Sequence, residues 1–453
     1  MRVDPPDSFI ESDAHLLARK GRVEEAEEIY RQIVVGGGAS HQVYGNLAVI
    51  AGMRGDADEM INLLKKALSI QPNFPEAHCM LGTALKGKAK INEAINSFEK
   101  AIELKPKYPE AYFNLGNCQI HKGEFNKAID SYYQAINLNS NYPQAYFNLA
   151  NALIKRGKIE EAIDSYDRAL LINPSYIEAL INLGTTLIEF GDIKSAIDSL
   201  EKALKINSNS FIAHNNLGTA LLADGDIEGA INNIQKAILI NSEYAEAYFN
   251  LGNALHEKGE LYNSLSAYKK ALEIKPDYHS ARFSLSLVQL LLGDYKSGLE
   301  NFESRFMAKG FAIPHAIPNL KKWEGEALKN NERLIVISEQ GLGDTIQFMR
   351  YVKYLSVKKI QVIFCAQKVL HGLIKASKIN PSPITPNKAN ILKEGKWISL
   401  LSLPKYLNVR PDYPLVSEPY IYTYDYLIKK WSNILSNQNK PIIGINWQGN
   451  PSI

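Results

Sequence analysis

Two consecutive stretches of equal length decide the fold. Residues 109–142 read PEAYFNLGNCQIHKGEFNKAIDSYYQAINLNSNY, and residues 143–176 read PQAYFNLANALIKRGKIEEAIDSYDRALLINPSY. The same pattern extends over residues 7–312 in blocks of 34 that start at His41, Pro75, Pro109, Pro143, Ile177, Phe211, Ala245 and His279, after a partial block. Self-similarity at this period indicates a solenoid of stacked supersecondary units.

Four columns of the block predict two antiparallel helices, A and B. Glycine at position 15 can adopt the left-handed conformation that ends helix A, at Gly21, Gly55, Gly123, Gly157, Gly191, Gly225, Gly259 and Gly293. Alanine at position 20 lets the helices approach closely, at Ala26, Ala94, Ala128, Ala162, Ala196 and Ala230. Leucine at position 7 fills their seam, at Leu115, Leu149, Leu183, Leu217 and Leu251. Proline at position 32 ends helix B, at Pro72, Pro106, Pro174 and Pro276.

These columns resemble tetratricopeptide repeats, and the resemblance covers about two thirds of the chain. It implies an α-helical superhelix in which helix A of each repeat lines the inner surface, with a protein or peptide as partner. One repeat cannot bury its apolar face alone, so stacking must supply a continuous core.

Position 6 holds an asparagine column, interrupted by Met80 and Ser284. Its members are Asn46, Asn114, Asn148, Asn182, Asn216 and Asn250. Amides spaced by one repeat can donate to and accept from an extended peptide backbone, which predicts a peptide-binding ladder in a concave groove. The alternative is that asparagine is only the consensus residue and packs or solvates helix A. Both interpretations stay open.

The repeats are also similar to those of the protein O-GlcNAc transferases, whose inner asparagine ladder binds acceptor polypeptide. The same column occurs in repeat proteins without an enzyme, so it does not by itself indicate glycosylation. Aromatic pairs beside the column are interpreted as inter-repeat packing and not as a ligand cage, at Tyr112–Phe113, Tyr146–Phe147 and Tyr248–Phe249.

The repeat pattern ends near Ala312. The following segment, 313–332, contains prolines and predicts a linker. Short apolar runs then alternate with helical patterns, which indicates a parallel α/β sheet with ligands beyond the carboxyl ends of its strands. Strands are predicted at 333–338, 360–366, 397–403 and 441–447, and helices at 345–355, 367–377 and 421–435.

The turn EQGLGD, residues 339–344, follows the first strand. It is not a dinucleotide fingerprint, because Ile346 stands where a third glycine is needed and the second strand lacks a following acidic residue. Asp344 precedes the helix and can simply cap it. Gly341 and Gly343 then only shape the turn.

Residues 320–453 resemble a bacterial family that fuses such repeats to a heptosyltransferase-like glycosyltransferase. The resemblance rests on WEGEALKNNERLIVISEQGLGDTIQFMRYVKYL, WISLLSLP and IGINWQGNP in that order. It implies the GT-B fold, with Asp344 as candidate base or orienter and a nucleotide sugar as donor substrate. The implied nucleotide-sugar cleft comprises Gly341, Gly343, Trp447, Gly449 and Asn450. A base at a helix N-terminus would be weak, because the helix stabilises its anionic form.

The expected fold is therefore a tetratricopeptide-repeat superhelix followed by an α/β Rossmann-like half of a GT-B enzyme. Its expected parts are a partial repeat over 1–40, eight repeats over 41–312, the linker over 313–332, the first Rossmann-like domain over 333–440 and the start of a second over 441–453. The resemblance implies a donor-binding domain beyond Ile453, so the chain is expected to be a fragment that is inactive alone.

Composition limits the classes of partner and ligand that we expect. Of 453 residues 45% are hydrophobic and 22% charged, and the net charge of +3 argues against nucleic acid. The three cysteines have neither metal nor disulfide-framework spacing, so we expect no metal and a cytoplasmic protein. No apolar run has the length of a membrane span. Two functions are left open: peptide binding coupled to glycosyl transfer, and a non-catalytic repeat scaffold or adaptor.

Overall fold

The computed structural model describes residues 7–308, 310, 313–329, 331–416 and 418–435. It divides into two compact units, Met1–Ile240 and Asn241–Ile453, and each is described by itself. Within the described ranges, no helix is long and apolar enough to cross a membrane.

The described part of the first unit consists of antiparallel helix pairs, A then B. The pairs follow the 34-residue blocks, and each helix packs against its partner and against the next pair. The bounds are α1 Asp7–Arg19, α2 Val23–Val35, α3 His41–Met53, α4 Ala57–Ile70, α5 Pro75–Gly87, α6 Ile91–Leu104, α7 Pro109–His121, α8 Phe125–Leu138, α9 Pro143–Lys155, α10 Ile159–Ile172, α11 Ile177–Phe190, α12 Ile193–Ile206, α13 Phe211–Asp224 and α14 Ile227–Ile240.

The turn between A and B has the predicted backbone. Every glycine at position 15 has a positive φ, from 72° at Gly157 to 94° at Gly191. The block that starts at Pro75 has Ala89 there instead, and Ala89 adopts φ 58°. The turn thus imposes the left-handed conformation even where the residue carries a Cβ.

Position 8, which the sequence patterns had not singled out, is occupied by small residues, and glycine there lies tightly against helix B. It is glycine in five blocks and alanine or serine in three, at Ala48, Ala150 and Ser286. A Cβ on Gly116 would lie 2.6 Å from Tyr132, and one on Gly252 would lie 2.5 Å from Tyr268. On the opposite helix, the alanines at position 20 are fully buried, as expected. The seam leucines are also buried, except Leu251, which is half-buried.

The second unit begins with two further helix pairs of the same kind. They are α15 Ala245–Glu257, α16 Leu261–Ile274, α17 His279–Leu291 and α18 Tyr295–Phe302. A short 3₁₀ helix, Glu303–Phe306, continues α18. The α/β part follows it in the same unit.

The α/β part contains a three-stranded parallel sheet with the order β2-β1-β3. The strands are β1 Arg333–Ile337, β2 Gln361–Cys365 and β3 Lys396–Ser399. The helices are α19 Leu342–Val357, α20 His371–Ala376, α21 Pro386–Asn390, α22 Leu403–Tyr406 and α23 Asp425–Leu435. The parallel sheet is as predicted, and the three strands predicted within the described residues are present. Strand β3 ends at Ser399, four residues before the predicted end.

Both faces of the sheet are covered. Leu334 and Val336 pack with α19, whereas Ile335 and Ile337 pack with Ala316 and α21. The segment predicted as a linker thus contributes to this core: Trp323 is 4% exposed, and its backbone N–H donates to Trp397 O at 2.8 Å. The strand predicted at 441–447 lies outside the described residues.

Candidate functional site

The asparagines of position 6 lie on the A helices and are half-buried. The amide nitrogens of Asn46, Asn148, Asn182 and Asn216 donate to the preceding repeat. Asn148 Nδ2 donates to Asn117 Oδ1 at 2.8 Å, and Asn182 Nδ2 donates to Asn151 Oδ1 at 3.0 Å. Asn117 and Asn151 occupy position 9 of the preceding block, so the column links neighbouring A helices.

A tyrosine from helix B completes each of these links. Tyr132 donates its hydroxyl to Asn117 Oδ1 at 2.8 Å, and Tyr166 donates to Asn151 Oδ1 at 2.6 Å. Burial raises the pKa of Tyr166 to about 12, so its phenol stays a proton donor at neutral pH. One amide oxygen thus accepts from helix B of its own repeat and from helix A of the next; we call this group the amide lock.

The other asparagines of the column have related partners. Asn46 Nδ2 donates to Tyr30 Oη at 3.1 Å, and Asn216 Nδ2 donates to Thr185 Oγ1 at 2.9 Å. Asn114 Nδ2 donates to the backbone oxygen of its own helix, while its Oδ1 accepts from Lys86 at 3.0 Å. In the second unit, Tyr268 donates to Asn253, the position-9 residue of the block that also holds Asn250. The alternative interpretation, in which these asparagines pack helix A, therefore explains where their side-chain N–H groups bind.

The acceptor atoms differ along the column. Every buried side-chain nitrogen or oxygen among the described residues has a hydrogen-bond partner. The described residues place no donor against Oδ1 of Asn148 or Asn182. Since every fully buried side-chain oxygen in this part of the chain has a partner, these two oxygens retain solvent-accessible surface. Because each Nδ2 is fixed in an amide lock, the orientation of both oxygens is fixed as well. They form a pair of oriented acceptors one repeat apart.

The aromatic pairs beside the column pack, as expected. The Phe113 ring lies 4.9 Å from Tyr142 and the Phe147 ring 5.0 Å from Tyr176, measured between ring centroids. In the second unit, Phe249 lies 5.1 Å from Tyr278. In the first unit, the tyrosines Tyr112 and Tyr146 are partly buried against the same core. In these repeats, the ring contacts pack the last residue of the repeat against its own helix A.

The turn after β1 differs from its prediction. Helix α19 begins at Leu342, so Gly343 and Asp344 belong to its first turn. The left-handed residue of this turn is Gln340, with φ 61°, and not a glycine. Asp344 Oδ2 accepts from the Gly341 N–H at 3.2 Å, which is the reach-back contact of a capping box. Asp344 therefore helps to cap α19, as the sequence allowed, but it does so from the third position of the helix and not from the position before it.

Glu339, which no sequence pattern singled out, is the most buried charge of this region. Its Oε1 accepts from Arg305 Nη2 at 2.8 Å and from Leu401 N at 3.2 Å, and its Oε2 accepts from Arg305 Nε at 3.1 Å. Ser399 Oγ also donates to it. Arg305 and Glu339 have fully buried side chains. One carboxylate therefore connects the carboxyl ends of the paired strands β1 and β3.

All five N–H donors of Arg305 are used. Nη1 donates to Phe302 O at 3.1 Å and to Glu303 Oε1 at 2.9 Å, and Nη2 also donates to Ser402 Oγ at 2.8 Å. Burial opposes the charge of Glu303, but the guanidinium outweighs it and keeps the pKa of Glu303 below its ordinary value. We call Glu303, Arg305, Glu339, Ser399 and Ser402 the buried charge cluster. It ties the end of the last helix pair to the sheet.

A second polar contact lies at the carboxyl end of β1. His315 Nδ1 lies 2.8 Å from Ser338 Oγ, and the His315 N–H donates to Ser338 O at 3.0 Å. The candidate donor-side residues Trp447, Gly449 and Asn450 lie outside the described residues. Within the described ranges, no three His, Cys, Asp or Glu side chains are grouped to hold a metal ion.

Comparison with known proteins addresses the repeats. Family models described as tetratricopeptide repeat or TPR repeat match residues 109–142, 143–176, 245–278, 88–119, 218–259, 41–74 and 177–210. No curated protein matches the chain.

Several solved structures are similar. YrrB, described as a TPR protein with an unusual peptide-binding site, is 21% identical over 43% of this chain and 97% of its own, with a TM-score of 0.38. MamA is 26% identical over 37% and 97%, with a TM-score of 0.35. A tetratricopeptide repeat protein from Parabacteroides merdae is 18% identical over 55% and 98%, with a TM-score of 0.43. Between residues 41 and 278 the chain therefore carries tetratricopeptide repeats, modules associated with protein–protein interaction and peptide binding.

Proposed function

We propose that the A-helix surface around Asn148 and Asn182 binds an extended polypeptide through its backbone. The observation that carries the proposal is the pair of accessible Oδ1 atoms, each fixed by an amide lock. An oriented acceptor binds a peptide N–H without losing the rotamer freedom of a mobile side chain. Recognition of backbone N–H groups would tolerate many peptide sequences.

The spacing that we expect for the two oxygens, on neighbouring A helices, fits an extended peptide. Packed helices lie roughly 8–10 Å apart. A polyproline II segment rises about 3.1 Å per residue with three residues per turn, so every third N–H lies on one side about 9 Å from the last. We therefore expect Asn148 and Asn182 to accept from N–H groups three residues apart.

A pair of variants tests this function. Peptides of fifteen residues are selected from a random display library on the wild-type protein, and their affinities are compared with those for Asn148→Leu/Asn182→Leu. We expect a loss of roughly tenfold or more, because each lost hydrogen bond contributes about 0.5–1.5 kcal/mol. Asn139→Ala/Asn173→Ala is the matched control, since these asparagines are also one repeat apart but bond their own turns. Equal affinity of both variants would contradict the proposal.

The finer proposal is that the bound polypeptide is a glycosyl acceptor. Its support is the parallel sheet with Gly341, Gly343 and Asp344 following β1 at the carboxyl edge, where ligands of such sheets bind. Asp344 would orient an acceptor hydroxyl, because its carboxylate is itself fixed by the Gly341 N–H. A nucleotide sugar would be the donor, as the resemblance to heptosyltransferase-like enzymes implies.

Glycosyl transfer is tested with labelled nucleotide sugars and a cell lysate. Because the chain is expected to be inactive alone, both assays use the full-length gene product. Transfer by the wild-type full-length protein that is lost in Asp344→Asn would support the enzyme. Gly372→Ala is a control, because a Cβ there meets no atom within 4 Å. If calorimetry finds no binding of any nucleoside-diphosphate sugar, the adaptor function, in which the repeats bind polypeptide without chemistry, is favoured.

A further inference from the structure

The turns that join A to B change their charge along the first unit. Positions 12–16 read KGKAK at residues 86–90 and IKRGK at residues 154–158, each with three cations. The turn between them is IHKGE at 120–124, with one cation and one anion. The next two, IEFGD at 188–192 and LADGD at 222–226, each carry two anions and no cation. A basic stretch of turns is thus followed by an acidic stretch.

The cations of the two basic turns differ in their partners. Lys155 and Arg156 of IKRGK are exposed, and the described residues offer neither an ion-pair partner. In KGKAK, by contrast, Lys88 pairs with Asp58, Lys90 pairs with Glu93, and Lys86 donates to Asn114 Oδ1. Glu189 and Asp224 are exposed on the acidic turns. Exposed cations without a local partner give a positive electrostatic potential beside IKRGK. The acidic turns give a negative potential one repeat further along.

The change of sign coincides with the oriented acceptors. Asn148 belongs to the block that carries IKRGK, and Asn182 belongs to the block that carries IEFGD. Packed helices lie roughly 8–10 Å apart, so we expect neighbouring turns at a similar spacing, comparable with the Debye length of about 8 Å at physiological salt. Each turn therefore acts on the peptide segment beside it, and the two fields are not averaged along the array.

We infer that this edge of the A helices selects an extended peptide with an acidic segment beside residues 154–158 and a basic segment along residues 188–226. The inference rests on the proposed peptide binding at Asn148 and Asn182, and it adds the partner's charge pattern. Three turns span about two helix spacings, which an extended peptide of about six residues covers at roughly 3.1 Å per residue.

Two synthetic peptides of identical composition test the inference. One has six glutamates followed by six lysines, and the other has the same residues in alternation. Fluorescence anisotropy at physiological salt should give the block peptide an affinity at least tenfold higher, with the difference shrinking as salt rises. Lys155→Glu/Arg156→Glu should reduce the difference to less than about twofold. Arg168→Glu/Lys202→Glu, the same charge change on α10 and α12, should leave it intact.

The opposite results overturn the inference. Equal affinity for the two peptides, reduced equally by Asn148→Leu/Asn182→Leu, would leave backbone binding in place and remove the charge pattern. Binding of neither peptide overturns the inference, and the library selection decides separately whether the surface binds peptides at all. Tighter binding of a 12-nucleotide single-stranded DNA, lost in Lys155→Glu/Arg156→Glu, would assign the basic turns to nucleic acid and also overturn it.

Discussion

The amide locks of the first unit and the buried charge cluster of the second satisfy polar groups in different ways. The lock is neutral, half-buried and repeated: Asn117 and Asn151 make the same two contacts one block apart. The cluster is charged, fully buried and built once, around Arg305 and Glu339. The neutral lock contributes to the free energy of unfolding at each interface where it recurs. The cluster makes its contribution at a single site.

The largest expected effect comes from breaking the cluster. Arg305→Met leaves the Glu339 carboxylate buried without its cation, which should destabilise the α/β part by about 3–5 kcal/mol. All four tryptophans lie beyond residue 320, so urea denaturation followed by tryptophan fluorescence reports this part. Arg305→Met/Glu339→Leu should recover much of the loss, because no charge then remains unpaired.

Lys270→Met is the control for the cluster. Lys270 forms an exposed ion pair with Glu273, and such pairs contribute little in water. If Arg305→Met shifts the fluorescence midpoint no more than Lys270→Met, the cluster does not hold the α/β part together and the comparison fails.

The second effect tests the tight contact between Gly116 and Tyr132 of helix B. Gly116→Ala would place a Cβ 2.6 Å from the Tyr132 ring, and overpacking of this kind costs about 1–3 kcal/mol. Chemical denaturation followed by far-UV circular dichroism measures the change. Gly87→Ala is the matched control, because a Cβ there meets nothing within 4 Å. Equal midpoints for the two variants would show that Tyr132 accommodates a methyl group at position 8, as the block with Ala150 and Tyr166 does.

The third effect measures the lock itself. Tyr166→Phe and Asn182→Ala each remove one donor from Asn151 Oδ1, and each should cost about 0.5–1.5 kcal/mol. A double-mutant cycle should show a coupling energy, because both donors share one acceptor. The control is Tyr133→Phe, since Tyr133 is 40% exposed. Purely additive losses would mean that the two hydrogen bonds do not act as a unit.

The smallest effect concerns position 15, where the repeats share a residue in the left-handed conformation. Ala89 holds a left-handed conformation at φ 58°, which costs a residue with a Cβ about 1–2 kcal/mol. Glycine loses about 0.4–1 kcal/mol more in conformational entropy on folding, so the net gain of Ala89→Gly should be on the order of 0.5 kcal/mol. Ala89→Gly should therefore raise the midpoint of the circular-dichroism transition, and Gly157→Ala should lower it. A midpoint that falls in Ala89→Gly would contradict this explanation of position 15.

The sequence predicted the repeats well because each structural demand recurs every block. A positive φ at Gly157 or a buried Ala162 repeats often enough to stand out from chance. The cluster did not stand out, because Arg305 meets Glu339 and Ser402 only through the tertiary fold. The column of position 6 was visible, but its division into fixed donors and accessible oxygens depends on contacts 31 residues apart, such as Asn182 with Asn151.

Backbone recognition by Asn148 and Asn182 is tested most directly by scanning N-methylation along a peptide selected on the wild-type protein. Each methyl group removes one N–H while it keeps the side chains. We predict that methylation at two positions three residues apart lowers the affinity by roughly tenfold each, since each removes a hydrogen bond to an oriented oxygen. A flat scan, in which no methylated position matters more than its neighbours, would contradict the account.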